Sequence, residues 1–289
     1  MTMMAADAEQ PARLLKAAAV DINRCGLNRI IMKSVKIVKI GGNIVDKPEA
    51  LELFLDDFQK LEGPKVLIHG GGAIASKLSK ELGIEVKMHN GRRITDYETL
   101  KLVTMVYAGL INKQITAALQ KRGCMAVGLS GADGNSVPAT RRAANPIDWG
   151  YVGDVAPEQI NVDFLNVMLE NGFTPVFCAI THDTKGSLLN TNADTMASGL
   201  ARALSAKFKT SLVYCFEKDG VLADPDDDNS VIPLITRESY KELLEAGKIV
   251  GGMIPKLDNA FAALEYGVEE VFIKHAANLL NNKETLLKL

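Results

Sequence analysis

From Val35 onward the chain alternates short β-rich runs with stretches of helical period, and this alternation restricts the possible folds most. The runs are VKIVKI (35–40), KVLIH (65–69), CMAVGL (124–129), FTPVFCAI (173–180), SLVYCF (211–216) and EVFI (270–273). Between them, helical periodicity spans 48–62, 73–82, 96–122, 161–171, 193–206, 236–246 and 255–266. Such a pattern predicts an α/β fold, with a mainly parallel central sheet and helices on both faces. Residues 1–34 stand outside it. Their segment PARLLKAAAVDINR has amphipathic helical spacing, and Asp7, Glu9 and Asp21 argue against an organellar transit peptide. It reads either as a functional appendage or as a dispensable leader.

Composition removes several classes of function. A net charge of −2 gives no basic excess for nucleic acid, and no run of about 18 apolar residues predicts a membrane span. Cys25, Cys124, Cys178 and Cys215 are widely separated, and the histidines lack metal-ligand spacing. This is the cysteine usage of a reducing, cytoplasmic compartment, with neither a disulfide framework nor a zinc site.

The 96–122 helix is unusually long, and Asp96 with Glu98 provides a good start for it. It carries two apolar stripes, one of Leu100, Val103, Tyr107, Ile111 and Ile115, the other of Leu102, Met105, Val106 and Gly109. A surface helix needs only one. Either the helix lies deep in the core or its second face packs on another subunit.

Two strand ends run into glycine. In LIHGGGAIAS the triplet Gly70-Gly71-Gly72 fits a G-x-G-x-x-A frame, but a dinucleotide site needs a carboxylate about 20 residues on. His89-Asn90-Gly91-Arg92-Arg93 is basic there, so that reading fails. In VKIVKIGGN, Lys39 precedes Gly41-Gly42. Adjacent glycines let backbone N–H groups close on phosphate oxygens, and lysine supplies a compact positive charge. Asn190, Asn192 and Asp194 in LLNTNADT alternate, so an extended segment would turn all three to one pocket, with a helix N-cap at 192 or 194 as the other reading. GGMIPK presents Lys256 at a helix start.

Together these stretches resemble the amino acid kinase family, and within it the branch that acts on N-acylated glutamate. The similarity runs from about Val35 to Val271 through K-x-G-G (39–42), H-G-G-G (69–72), N-G-x-R-x-T (90–95), G-L-S-G-x-D-G (128–134), N-x-N-A-D (190–194) and G-G-M-I-P-K (251–256). The resemblance implies a three-layer, eight-stranded αβα sandwich of the carbamate kinase-like type. An acyl-amino-acid-binding lobe would span 35–185 and a nucleotide-binding lobe 186–289. It also implies a homodimer through the 96–122 helix, with a hexamer possible where an N-terminal extension is present.

The implied reaction moves the γ-phosphoryl group of ATP, entering with Mg²⁺ as co-substrate, to the side-chain carboxylate of an N-acylated glutamate. In arginine biosynthesis that substrate is N-acetyl-L-glutamate. By the same resemblance Lys39 and Lys256 neutralise charge on the moving phosphoryl group and on the nucleotide, and Asp194 orients both. Gly41, Gly42, Gly70, Gly71 and Gly72 cradle phosphate, while Arg93, Asn190 and Asn192 hold the acyl amino acid. No protein-ligated metal is expected. Arg92 beside Arg93 leaves room for an acyl group with its own carboxylate, such as succinyl. VYCFEKDGVL (213–222) departs from the family's nucleotide segment, and a non-catalytic sensor on the same fold is the rival reading.

Overall fold

In the computed structural model, residues 33–289 are described apart from Asn90 and Pro225. The amphipathic segment 11–24, Cys25 and the Asn90 of N-G-x-R-x-T lie outside the described residues. Eight strands form the main sheet: β1 Ser34–Ile40, β2 Lys65–His69, β3 Ala126–Leu129, β4 Thr174–Cys178, β5 Lys209–Phe216, β6 Leu234–Ile235, β7 Glu270–His275 and β8 Glu284–Leu287. Their order across the sheet is β6-β8-β7-β5-β1-β2-β4-β3. Ladders among β3, β4, β2, β1, β5 and β7 are parallel; β8 runs antiparallel to β7 and carries β6 along with it.

The helices are α1 Pro48–Lys60, α2 Gly72–Glu81, α3 Tyr97–Lys121, α4 Val162–Glu170, α5 Ala193–Leu204, α6 Arg237–Glu245 and α7 Met253–Glu265. Alternation within the central strands sorts them into two layers, because successive side chains point to opposite faces. Val35 and Ile37 of β1 and Leu212 and Tyr214 of β5 pack with α4, α5, α6 and α7. Val38, Ile40, Val213 and Cys215 pack with α1, α2 and α3 on the other face. Ser34–Leu289 makes one unit by its contacts. The predicted three-layer α/β architecture is what forms.

Two sequence expectations change. The run FTPVFCAI breaks at Ala179: β4 ends at Cys178, and Ile180–His182 pairs antiparallel with Leu188–Asn190 in a separate ribbon. That ribbon delivers Asn190 to the end of the sheet. The two stripes of α3 also do not form two faces. Its middle, Met105–Ile111, is wound as a π-helix, where each turn takes in an extra residue and the side-chain phase slips. Leu102 and Val106 thus join the same buried side as Leu100, Val103, Tyr107 and Ile111, while Met105, Gly109 and Leu110 stay exposed. By length and composition α3 could cross a bilayer. Half of its apolar window is instead buried within this domain, as in a core helix.

Candidate active site

Strand order reverses at β1. From β1 the chain goes on to β2, β3 and β4 on one side, with β4 lying between β2 and β3, and it returns to β5 on the other. In open parallel sheets, the crevice beyond the strand C-termini at such a reversal is where ligands bind. A cleft of about 440 Å³ opens there. It is lined by Lys39, Gly41, Gly42, Gly70, Gly71, Gly72, Arg93, Asn190, Asn192 and Lys256. Every expected site residue borders it except Asp194, which lies behind the two lysines.

Lys39 is the last side chain of β1 on the α5 face, and only 8% of it is exposed. Its Nζ sits 2.7 Å from Asp194 Oδ1, and Lys256 Nζ lies 3.5 Å from Asp194 Oδ2. One carboxylate therefore ties β1 to the first turns of α5 and α7. Burial by itself would raise the Asp194 carboxyl; the two ammonium groups, Lys39 first, hold it below its ordinary value. Burial also draws Lys256 below the usual lysine value, Asp194 opposing this and Lys39 adding to it. Lys256 is further flanked by the Tyr214 and Phe216 rings, 5.6 and 5.2 Å from its nitrogen. Pro255 is tolerated beside it because first-turn N–H groups have no helical acceptor to lose.

The two glycine edges face this cluster. Gly41 N–H donates to Cys215 O at 3.0 Å, which extends the β1–β5 ladder, and the chain then enters a one-turn helix, Gly42–Val45. Gly71 caps α2, so the N–H groups that open this helix have no carbonyl one turn back. A side chain at Gly71 would place its Cβ 2.4 Å from Ile111 Cδ1 and 2.9 Å from Tyr107 Cδ1 on α3. The triplet is thus pressed against the long helix as well as open to the cleft.

Arg93 arrives on a short hairpin that pairs Met88–His89 with Arg92–Arg93. Alternation leaves Arg92 exposed at the edge of the cleft and turns Arg93 inward, leaving 8% of Arg93 exposed. Its Nη2 donates to Gly72 O at 3.0 Å and Ser76 Oγ at 2.7 Å, while Nη1 is buried with no partner among the described residues. A buried guanidinium nitrogen without an acceptor is costly, and an arriving carboxylate would satisfy it.

The alternate spacing of Asn190, Asn192 and Asp194 does not persist as an extended face, because the chain turns into α5 between them. Asn192 is the N-cap: its Oδ1 accepts from Asp194 N at 2.9 Å and Thr195 N at 3.0 Å. Its amide NH₂ remains for the cleft. Asn190 Nδ2 donates to Thr95 Oγ1 at 2.9 Å, which leaves its carbonyl oxygen for a ligand.

Several lining residues escape sequence reasoning. Tyr107 belongs to an apolar stripe that reads as core, yet it reaches the cleft beside Gly72. Arg142 and Trp149 come from a hairpin whose ends, Thr140–Arg141 and Gly153–Asp154, pair antiparallel; Arg142 stands 5.3 Å over the Trp149 ring and pairs with Asp154. The chain's single tryptophan beside two arginines is the one signal that marks this loop. Phe216 and Glu217 enter from the end of β5.

The model of the amino acid kinase family matches residues 34–275. Acetylglutamate kinase from Phocaeicola vulgatus is 51% identical over 256 residues, covering 89% of this chain and 99% of the relative. A solved structure from Streptococcus mutans superimposes with a TM-score of 0.72 at 29% identity, covering 88% of this chain and 98% of that one. Carbamate kinase from Giardia lamblia shares the fold at 15% identity, with a TM-score of 0.64 over 89% of this chain and 98% of that one.

Proposed function

Because the chain belongs to the amino acid kinase family, we propose that it transfers the γ-phosphoryl group of ATP to the side-chain carboxylate of N-acetyl-L-glutamate. The product is N-acetylglutamyl 5-phosphate, an intermediate of arginine biosynthesis. The observation that carries this reading is the buried Asp194 bridge, which holds two lysine ammonium groups between two glycine edges.

The chemistry asks for little more. A carboxylate nucleophile with a pKa near ~4.3 is ionised at neutral pH, so no general base is required. The obstacle is repulsion between an anion and a polyanion that must approach in line, and it is overcome by positioning and charge stabilisation. Lys39 offsets charge on the moving phosphoryl group, and Lys256 offsets charge on the nucleotide side. Asp194 keeps both ammonium groups from drifting apart. N–H groups at Gly41-Gly42 and Gly70-Gly71-Gly72 receive phosphate oxygens. Arg93 takes the α-carboxylate through its buried Nη1, with the Asn190 carbonyl and the Asn192 amide NH₂ beside it.

Residues 35–185 supply the acyl-amino-acid side and 186–289 the nucleotide side. An apolar recess of about 180 Å³ lies next to the cleft and shares Phe216 with it. Val221, Leu222, Ile249 and Met253 line the recess, with Lys218 and Lys248. It suits an adenine base, so the atypical 213–222 segment still serves the nucleotide. Mg²⁺ enters with ATP as substrate, held by phosphates and water. The enzyme works in the cytoplasm, as a homodimer through the exposed Met105, Gly109 and Leu110 of α3, or as a hexamer built from such dimers.

One observation favours a second acyl group. Arg92 lines the cleft and has no acidic partner among the described residues, and Arg142 stands in the same wall. An acyl chain ending in a carboxylate, as in N-succinylglutamate, would meet that charge. ADP release measured with N-acetylglutamate and N-succinylglutamate offered separately tests both readings. Turnover with the acetyl substrate supports the first, and turnover with the succinyl substrate alone replaces it. Nucleotide binding without turnover on either points to a sensor.

A further inference from the structure

His69 ends β2, is fully buried, and has no part in the chemistry above. Its Nδ1 lies 2.7 Å from the Gly70 carbonyl oxygen, and its Nε2 lies 3.1 Å from Asn112 Nδ2 on α3. The orientation of the Asn112 amide is set from outside. Nδ2 donates to Val176 O at 2.8 Å, while Oδ1 accepts from Lys113 Nζ at 3.2 Å. An NH₂ group facing Nε2 obliges Nε2 to accept. The ring proton then belongs on Nδ1, where it is donated to Gly70 O. A single neutral tautomer satisfies every contact, and burial keeps the ring neutral by pushing its pKa down to about 4.

The effect is felt at the next peptide. In a trans peptide the C=O and N–H point in opposite directions. Holding Gly70 O against His69 therefore turns the Gly71 N–H the other way. That N–H has no acceptor among the described residues, and Gly71 borders the cleft. A glycine–glycine peptide has little steric preference of its own and flips readily when nothing holds it.

Resting on the phosphoryl-transfer reading, we propose that His69 is a positioning residue. Its Nδ1–H, held in that tautomer by Asn112, locks the Gly70–Gly71 peptide so that the Gly71 N–H faces the transferring phosphoryl group.

Two substitutions separate the ring's two contacts. His69→Asn places an amide near the former Nδ1 and keeps the bond to Gly70 O. His69→Gln reaches the former Nε2 and keeps the contact with Asn112. ADP release with ATP and N-acetylglutamate, together with thermal midpoints, is measured for both beside the unaltered protein. Similar losses of thermal midpoint are expected. The Asn variant should stay within about 10-fold of the original kcat, and the Gln variant should lose about 100-fold, the size of losing one oriented donor. KM for N-acetylglutamate should move by less than about 3-fold in each. A Gln variant as fast as the Asn variant, or faster, overturns the proposal.

Nitrogen chemical shifts of the His69 ring in the unaltered protein supply a readout that does not depend on turnover or on variant folding. A protonated Nδ1 and bare Nε2 at neutral pH are expected, and the opposite tautomer overturns the proposal. If the unaltered protein releases no ADP, the functional reading fails while the ring shifts still judge the tautomer.

Discussion

The two glycine edges look alike in sequence and behave differently in the fold. At KIGGN the backbone is open: a Cβ on Gly42 would meet nothing within 4 Å, and one on Gly41 would come no nearer than 3.5 Å to Cys215 O. At HGGGA, a Cβ on Gly71 would run into Ile111 and Tyr107. The first edge is held by strand pairing on one side and carries its charge on Lys39. The second is wedged between β2 and α3 and steered by a buried histidine. A G-G dipeptide alone does not say whether glycine serves a ligand or a neighbour; the packing behind it does.

That contrast can be broken or sharpened by measurement. Lys39→Ala should have the largest effect, with kcat down by about 10³-fold and KM for N-acetylglutamate nearly unchanged, because in the proposed reaction its charge acts on the moving group. Steady-state kinetics giving a KM effect alone would move Lys39 to the ground-state complex.

At the second edge, His69 sets a pH dependence. Its folded pKa of about 4 lies below the ordinary 6.5, so between those values the unfolded chain binds a proton that the folded chain refuses. Stability should fall as pH drops through that window and level off below it, by on the order of 3 kcal/mol in all. Urea unfolding across pH, with His69→Asn as the reference, reads this directly. Arg93→Ala should raise KM for N-acetylglutamate by about 100-fold with kcat within about 10-fold, by loss of a charged hydrogen bond to the substrate. Equal losses in both constants would show that Arg93 matters chiefly by bracing Gly72 and Ser76.

Gly71→Ala should cost about 2 kcal/mol of stability through overpacking against α3, visible as a lower thermal midpoint. At Gly70 and Gly72 a Cβ would meet only Ala193 Cβ at 3.7 Å and the Tyr107 hydroxyl at 3.9 Å, so within the triplet the packing cost falls on Gly71. Gly42→Ala should leave stability within about 1 kcal/mol and lower turnover alone. A matching loss of thermal midpoint there would erase the difference between the edges.

Much of the molecule could be read from local pattern, for identifiable reasons. Each of the six β-rich runs contributes one strand to the main sheet, because β-branched residues in short buried runs state their structure locally. The helices began and ended within a few residues of expectation, and Asp96 does accept from Thr99 N. β6 and β8 were not legible. Leu234–Ile235 is too short to show a period, and ETLL becomes a strand only by lying against β7. The π-wound middle of α3 was hidden too, because Met105–Ile111 reads locally as ordinary helix.

The site divides along the same line. The sequence by itself determined which chemistry is present, because lysines, glycine turns, Arg93 and the N-x-N-A-D stretch are local patterns whose chemistry belongs to the residues. Only the tertiary structure decided their arrangement. Residues as far apart as Lys39, Asp194 and Lys256 meet because strand order reverses at β1, and chain reversal at that point is a long-range event with no local signature. Tertiary structure also decided that Asp194 lies behind its lysines, that Asn192 Oδ1 caps a helix, and that Gly71 is pressed against α3 as well as bordering the cleft. Each depends on what lies on the other side of a residue, and a linear pattern carries only neighbours along the chain.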